Sequence, residues 1–205
     1  MIDTTYWEKG IMRLCGIDEA GRGPLAGPLV VAAVILHPFQ VLEGVGDSKK
    51  ISAKKRAHLA EVIKQEALAY HIEVVDVKTI DELNIYQATK ASMQRLVDTL
   101  KPDFTLTDAM PLAVDTPHEA IIKGDQKSLA IGAASILAKV TRDQWMEELA
   151  QTYPLYGFEK HKGYPTKAHI KALKEHGATD FHRRSFAPVR DVLKPGLTRF
   201  DENEE

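Results

Sequence analysis

One cysteine in 205 residues, Cys15, excludes an internal disulfide and fits a reducing compartment. Set inside an apolar run, that thiol reads as a small buried residue rather than a nucleophile. No apolar stretch is long enough to span a bilayer, and Met1-Ile2-Asp3-Thr4 does not open a signal peptide, so a soluble, cytoplasmic protein is expected. Net charge is scarce too: 27 Lys and Arg against 29 Asp and Glu leave −2, which excludes a global field that attracts nucleic acid. Internal repeats and low-complexity linkers are absent, so one domain is the simplest organisation. With 44% of its residues apolar, a chain of this length can bury a sizeable core.

What charge there is comes in clusters. Lys49-Lys50, Lys54-Lys55-Arg56, Lys160-His161-Lys162 and His182-Arg183-Arg184 are basic, and the chain ends Asp201-Glu202-Asn203-Glu204-Glu205. A local basic surface on a near-neutral protein binds a polyanion with salt-dependent affinity. Lys54-Lys55-Arg56 alone reads as a solvated face, and His182-Arg183-Arg184 as either an extension of a DNA surface or a solvated segment.

Residues 1–11 carry little pattern and read as a loose N-terminal arm, with Trp7 available to pack back. Residues 12–18 read as a strand, and Leu29 to Leu36, rich in β-branched residues and apolar on both faces, as a second. Ser52 is placed to cap a helix reaching about Tyr70. Ile72 to Val77 alternates as a strand, Thr79 caps a short turn, and Ile85 to Leu100 reads as a helix stopped by Pro102. Phe104 to Thr107 is a strand ending at Asp108, and Ile121-Ile122 a short one before Lys123-Gly124-Asp125. Ser128 to about Leu149 is helical and opens with small residues. Thr166 caps one more helix, closed by Gly177. Alternating strands and helices give an α/β class, with helices gathered toward the C-terminus. The folded domain is set at 12–192, followed by a flexible acidic tail over 193–205.

The chain is organised around Gly16-Ile17-Asp18-Glu19-Ala20-Gly21-Arg22-Gly23-Pro24-Leu25-Ala26-Gly27-Pro28. Two carboxylates stand at the end of an apolar run, and the turn after them is bare enough to approach a large ligand closely. Arg22 adds a planar cation suited to phosphate. A phosphate-binding P-loop is excluded, because no Lys-Ser or Lys-Thr follows the last glycine. Asp108 and Asp125 also follow apolar segments, and ligands of α/β folds gather outside the carboxyl ends of strands. Four converging carboxylates would repel one another unless a divalent cation sat between them. Their hard oxygen donors favour Mg2+ or Mn2+ in a two-metal phosphodiester hydrolysis.

These segments, with Asp47-Ser48-Lys49-Lys50, Lys123-Gly124-Asp125, Ala133-Ala134-Ser135-Ile136-Leu137-Ala138-Lys139-Val140-Thr141-Arg142-Asp143 and Tyr156-Gly157-Phe158-Glu159-Lys160-His161-Lys162-Gly163-Tyr164, resemble bacterial type 2 ribonuclease H, ribonuclease HII. The motifs cover most of residues 11–190. The resemblance implies an RNase H-like mixed sheet flanked by helices, with a helical C-terminal part. It implies cleavage of the RNA strand of RNA–DNA hybrids and of duplex DNA carrying a single ribonucleotide, with an RNA–DNA junction as the other substrate. The family's metal ligands fall on Asp18, Glu19, Asp108 and Asp125; Asp143, deep in a helical pattern, is left to a salt bridge.

The family senses the 2′-hydroxyl through Gly21, Arg22, Gly23 and Tyr164, and the 2′-hydroxyl is what distinguishes RNA from DNA at one position. Lys49, Ser128, Ser135, Lys139 and Lys162 are assigned to phosphates, with Lys139 also able to pair with Asp143. A monomer with no obligate protein partner is expected, and the tail has no aromatic pair of the kind a replication-clamp peptide needs. Two rival classes are a nuclease or transposase-like enzyme of the same fold that ignores the 2′-hydroxyl, and a non-catalytic hybrid-binding module.

Overall fold

The apolar runs form one sheet. Its strands are β1 (Leu14–Ala20), β2 (Leu29–Ile35), β3 (Ala69–Val75), β4 (Phe104–Asp108) and β5 (His118–Ile121), in the spatial order β3-β2-β1-β4-β5. This computed structural model describes residues 1–45 and 52–194. The helices in that range are α1 (Asp3–Glu8), α2 (Ala53–Glu66), α3 (Val77–Leu83), α4 (Ile85–Leu100), α5 (Gly124–Lys127), α6 (Leu129–Thr152), α7 (Phe158–His161), α8 (Lys167–His176) and α9 (Ala187–Leu193). β1, β2 and β3 pair antiparallel, whereas β4 and β5 join β1 in parallel. Ile17 lies opposite Thr107, so one step further along the strands Asp18 comes beside Asp108.

Period-2 alternation divides β2, buried along its whole length, between two cores. Leu29, Val31, Ala33 and Ile35 pack with Ile80 of α3 and Met93 and Leu96 of α4. Val30, Ala32 and Val34 face α6, α2 and Trp7 of α1. Helix α6 lies directly on β1 because residue 16 has no side chain: a Cβ there would stand 2.2 Å from the backbone of Ala130 and Ile131. Gly16 and Asp18 share the α6 side of the strand, so this contact also sets the depth of Asp18.

Several elements differ from expectation. Residues 1–11 are not a loose arm: the buried carboxylate of Asp3 accepts from Ser128 Oγ (2.9 Å), Leu129 N (2.7 Å) and Ala130 N (3.0 Å), capping α6 from α1. β1 runs to Ala20, because Glu19 and Ala20 still pair with Val31 and Val30, so the acidic pair lies inside the strand. Ser52 caps α2 as expected, but the helix stops at Glu66 and Tyr70 joins β3. Asp76, not Thr79, caps α3, accepting from Thr79 N at 2.7 Å. Asp125 sits in the first turn of α5, and α9 had no counterpart in the sequence reading. Asp47-Ser48-Lys49-Lys50 and the tail from 195 lie outside the described residues.

Behind the sheet's carboxyl ends, Met146 and Leu149 of α6 pack with Tyr156, Phe158 and Ala172. His182 is buried among these rings rather than solvated. Thr179 N donates to His182 Nδ1 (3.0 Å), His182 Nε2 lies 3.1 Å from His169 Nε2, and His169 Nδ1 lies 3.0 Å from the Tyr164 carbonyl. A carbonyl only accepts, so the proton of His169 is on Nδ1. Its Nε2 then accepts from His182 Nε2–H, and both rings are neutral. Burial, reinforced by His169 and His161, pushes the His182 pKa from 6.5 down to about 4.

Two outcomes are expected. Gly16→Ala drives a methyl into the backbone of α6 and costs about 3 kcal/mol, lowering Tm by roughly 6–12 °C in a thermal melt; an unchanged Tm would contradict the close packing. In 15N NMR, His182 stays neutral, protonated at Nε2, down to about pH 5. Because its folded pKa lies below the unfolded one, its contribution to stability is complete above about pH 6.5 and is lost as pH falls toward about 4. Titration of His182 near 6.5 would refute the buried arrangement.

Candidate active site

At the carboxyl ends of β1 and β4 opens a cavity of about 350 Å³, and Asp18, Glu19, Asp108 and Asp125 all line it. Asp18 is buried and receives a hydrogen bond from Ser135 of α6. Its pKa is raised well above the ordinary carboxylate value, by burial first, then by the charges of Glu19 and Asp108. Burial also raises Glu19, with Arg22 opposing and Asp108 adding to the shift.

Fixed donors orient these groups. Glu19 N donates to Asp18 Oδ1 (2.7 Å), Gly124 N to Asp108 Oδ1 (2.8 Å) and Arg22 Nη1 to Glu19 Oε1 (3.4 Å). Among the described residues no three His, Cys, Asp or Glu side chains are gathered as a ready-made ligand cage. The donor set nonetheless fits a hard divalent cation. Four carboxylates face one space, two are strained toward protonation by burial and mutual repulsion, and Glu19 Oε2 is buried with no hydrogen-bond donor.

Opposite the carboxylates stands the Gly-Arg-Gly turn. Gly21 has φ +100°, and a Cβ there would lie 2.1 Å from Arg142 Nε, so only glycine fits. The Arg22 side chain turns back to Glu19, and Gly23 faces the Tyr164 ring, which a Cβ at 23 would meet at 3.4 Å. Tyr164, 43% exposed, lines the cavity with Ser135 and Lys139. Lys139 Nζ is held by Asp143 Oδ1 at 2.7 Å, so Asp143 is a salt-bridge partner.

Two phosphate assignments do not reach the cavity. Ser128 is fully buried, its hydroxyl given to Asp3 and its oxygen capping Ile131 N, so it cannot touch a backbone phosphate; this is a correction. Lys162 Nζ faces Glu147 Oε1 at 2.6 Å and is not among the lining residues. Lys49 lies outside the described residues. Conversely Arg56, read as part of a solvated run, lines the cavity with Ile136.

Arg142 is not among the residues expected at the site, and Arg183, expected with His182 and Arg184 on a DNA-facing or solvated surface, is buried. Their signal was an arginine set among apolar residues (Ala138, Val140 and Met146 on α6 for Arg142) and beside prolines and aromatics in the C-terminal part for Arg183.

Residues 15–189 match the Ribonuclease HII family. A ribonuclease HII from Bacillus licheniformis is 55% identical over 184 residues, covering 89% of this chain and 72% of that protein. The ribonuclease H2 of Pyrococcus horikoshii superposes with a TM-score of 0.77 at 27% identity, covering 88% of this chain and 97% of that one. The ribonuclease HII of Archaeoglobus fulgidus, solved as a complex with PCNA, gives 0.74 at 28% identity, covering 90% and 98%. The mixed five-stranded sheet is therefore the RNase H-like fold. With a family match across nearly the whole described domain, the chain belongs to the ribonuclease HII family and is an endoribonuclease, a hydrolase of RNA in RNA–DNA hybrids.

Proposed function

We propose that this endoribonuclease is metal-dependent and cuts on the 5′ side of a ribonucleotide, including a single one embedded in duplex DNA, leaving 3′-hydroxyl and 5′-phosphate ends. One observation carries the reading: a single cavity joins the carboxylates Asp18, Glu19, Asp108 and Asp125 to the bare turn Gly21–Gly23 and to Tyr164. Chemistry on a phosphodiester and inspection of the neighbouring sugar then take place side by side.

Divalent Mg2+ or Mn2+, held by the four carboxylates, would supply activation of water and neutralisation of phosphate charge. The chain's own groups do the rest. The hydrogen bond from Ser135 favours the ionised form of Asp18 and so opposes part of the rise that burial imposes. Gly21, at φ +100° and packed on Arg142, lets the turn take the shape that offers main-chain groups to the 2′-hydroxyl, and Gly23 leaves that face bare beside the Tyr164 ring. Arg22, itself half-exposed and at a long 3.4 Å from the largely buried Glu19, can turn to a phosphate. The Tyr164 ring offers a flat face to the deoxyribose that follows the ribonucleotide, locating the junction. Lys139 and Arg56 stand on the wall where flanking phosphates pass. A cytoplasmic setting belongs to the same reading, supported by a lone, buried thiol at Cys15.

A labelled DNA duplex with one ribonucleotide, beside an all-DNA duplex and an all-RNA-strand hybrid, tests it in the presence of Mg2+. Cutting 5′ to the lone ribonucleotide with the all-DNA duplex intact is expected. Equal cutting of all-DNA would overturn the ribose reading, and cutting of the hybrid alone would remove the junction role of Tyr164.

A further inference from the structure

The two segments that face the ribose in that reading, the Gly-Arg-Gly turn and Tyr164, are more than 140 residues apart in sequence and need a fixed separation. Both run over one buried guanidinium. Arg142 of α6, 1% exposed, donates from Nε to the Pro28 carbonyl (2.9 Å), from Nη2 to Ala26 (3.1 Å) and from Nη1 to Lys162 (2.9 Å). The first two carbonyls belong to the chain leaving the turn, and the third lies two residues before Tyr164. The same guanidinium sits 5.9 Å from the centre of the Tyr164 ring, and its Nε occupies the space a side chain at Gly21 would need.

A second arginine supports the turn from beneath. Arg183, fully buried, donates to the carbonyls of Gly21 (2.6 Å), Arg22 (3.1 Å), Gly27 (2.9 Å) and Pro28 (3.1 Å). Among the described residues neither arginine has a carboxylate in ion-pair contact, although each lies within electrostatic reach of one, Asp143 for Arg142 and Asp81 for Arg183. Burial lowers their pKa values to about 10 and 9, which still leaves both charged at neutral pH. A buried, unpaired cation is costly, and apolar packing alone would be met by Leu or Met. What a guanidinium adds is a planar fork that fixes several carbonyls at once.

We infer that Arg142 is a positioning residue for ribose selection, holding the Gly-Arg-Gly turn and Tyr164 at the spacing that lets both meet one ribonucleotide. The inference rests on the ribose-reading role given above to those two segments. Arg142 points three loop carbonyls inward. The turn's remaining main-chain groups and the Tyr164 ring are then left to face the cavity. Arg183 fixes the turn but its side chain makes no bond to the Tyr164 segment; beside the direct backbone bond from Leu25 N to the Gly163 carbonyl (2.8 Å), Arg142 is the side chain that joins the two.

The test compares Arg142→Lys with wild type on the single-ribonucleotide duplex and on the all-RNA-strand hybrid. Lysine keeps the charge and loses the fork. The ratio of kcat/KM values, junction over hybrid, is expected to fall by on the order of 10²-fold, the scale of a 1 Å misplacement. Tyr164→Ala should then cost less in the Arg142→Lys background than in wild type. Leu96→Ala, in the core on the far side of the sheet, controls for lost stability and should leave the ratio unchanged. An unchanged ratio in Arg142→Lys, or a full Tyr164→Ala cost in both backgrounds, would overturn the inference. Wild type failing to discriminate ribose at all would instead overturn the underlying reading. Should Arg142→Lys not fold, 15N NMR of wild type with the junction duplex in EDTA decides. The Arg142 Nε–H resonance is expected to shift together with the Gly21 and Tyr164 amides, and an unmoved Nε–H beside shifting amides would contradict the proposal.

Discussion

Like charges held together out of water are the constraint on which this structure depends. Asp18 and Asp108 end up side by side because β1 and β4 are parallel and in register, and Glu19 follows on the same strand. At an effective dielectric constant of 20, two unit charges 4 Å apart repel by about 4 kcal/mol, so the arrangement persists only because the surrounding fold over-determines it. Gly16 admits α6 onto the strand, α6 brings Ser135 to Asp18, and Asp3 caps the start of α6 from the other end of the chain. The raised pKa values of Asp18 and Glu19 register the same stress. A divalent cation bound there, as proposed above, would relieve it.

The opposite wall is built by the inverse device. Bare backbone faces the cavity, and buried cations behind it collect the carbonyls. Neutral histidines extend this support, since His169 Nδ1 holds the Tyr164 carbonyl at 3.0 Å and takes its own orientation from His182. The Gly-Arg-Gly turn is therefore held at several carbonyls despite its glycines, as the proposed reading of a single hydroxyl requires.

How much of this was legible in the sequence follows from the range of the forces involved. The α4 helix and β2 were readable because their patterns are local: a helical stripe ending before a proline, and a continuous β-branched run. The convergence of Asp18, Glu19, Asp108 and Asp125 on one cavity was readable because each comes at or just after an apolar segment that the sheet brings to the same end. α1 was not readable, since its partner atoms lie 125 residues away at Ser128. Ser128 misled for the same reason: a hydroxyl at helical spacing gives no sign that a distant carboxylate will claim it. Arg142 and Arg183 look like surface charges because their partners are carbonyls, which every residue has.

The most direct measurement of the central claim follows melting and cleavage of wild type and Asp18→Asn in EDTA and in Mg2+ or Mn2+. A crossover is expected. In EDTA the Asn variant melts higher, because it removes one of the repelling charges; with cation, wild type gains stability and cuts, while the variant gains little, does not cut, and still binds the hybrid. Cleavage by wild type in EDTA, or wild-type rates from Asp18→Asn, would contradict the carboxylate centre on which the account stands.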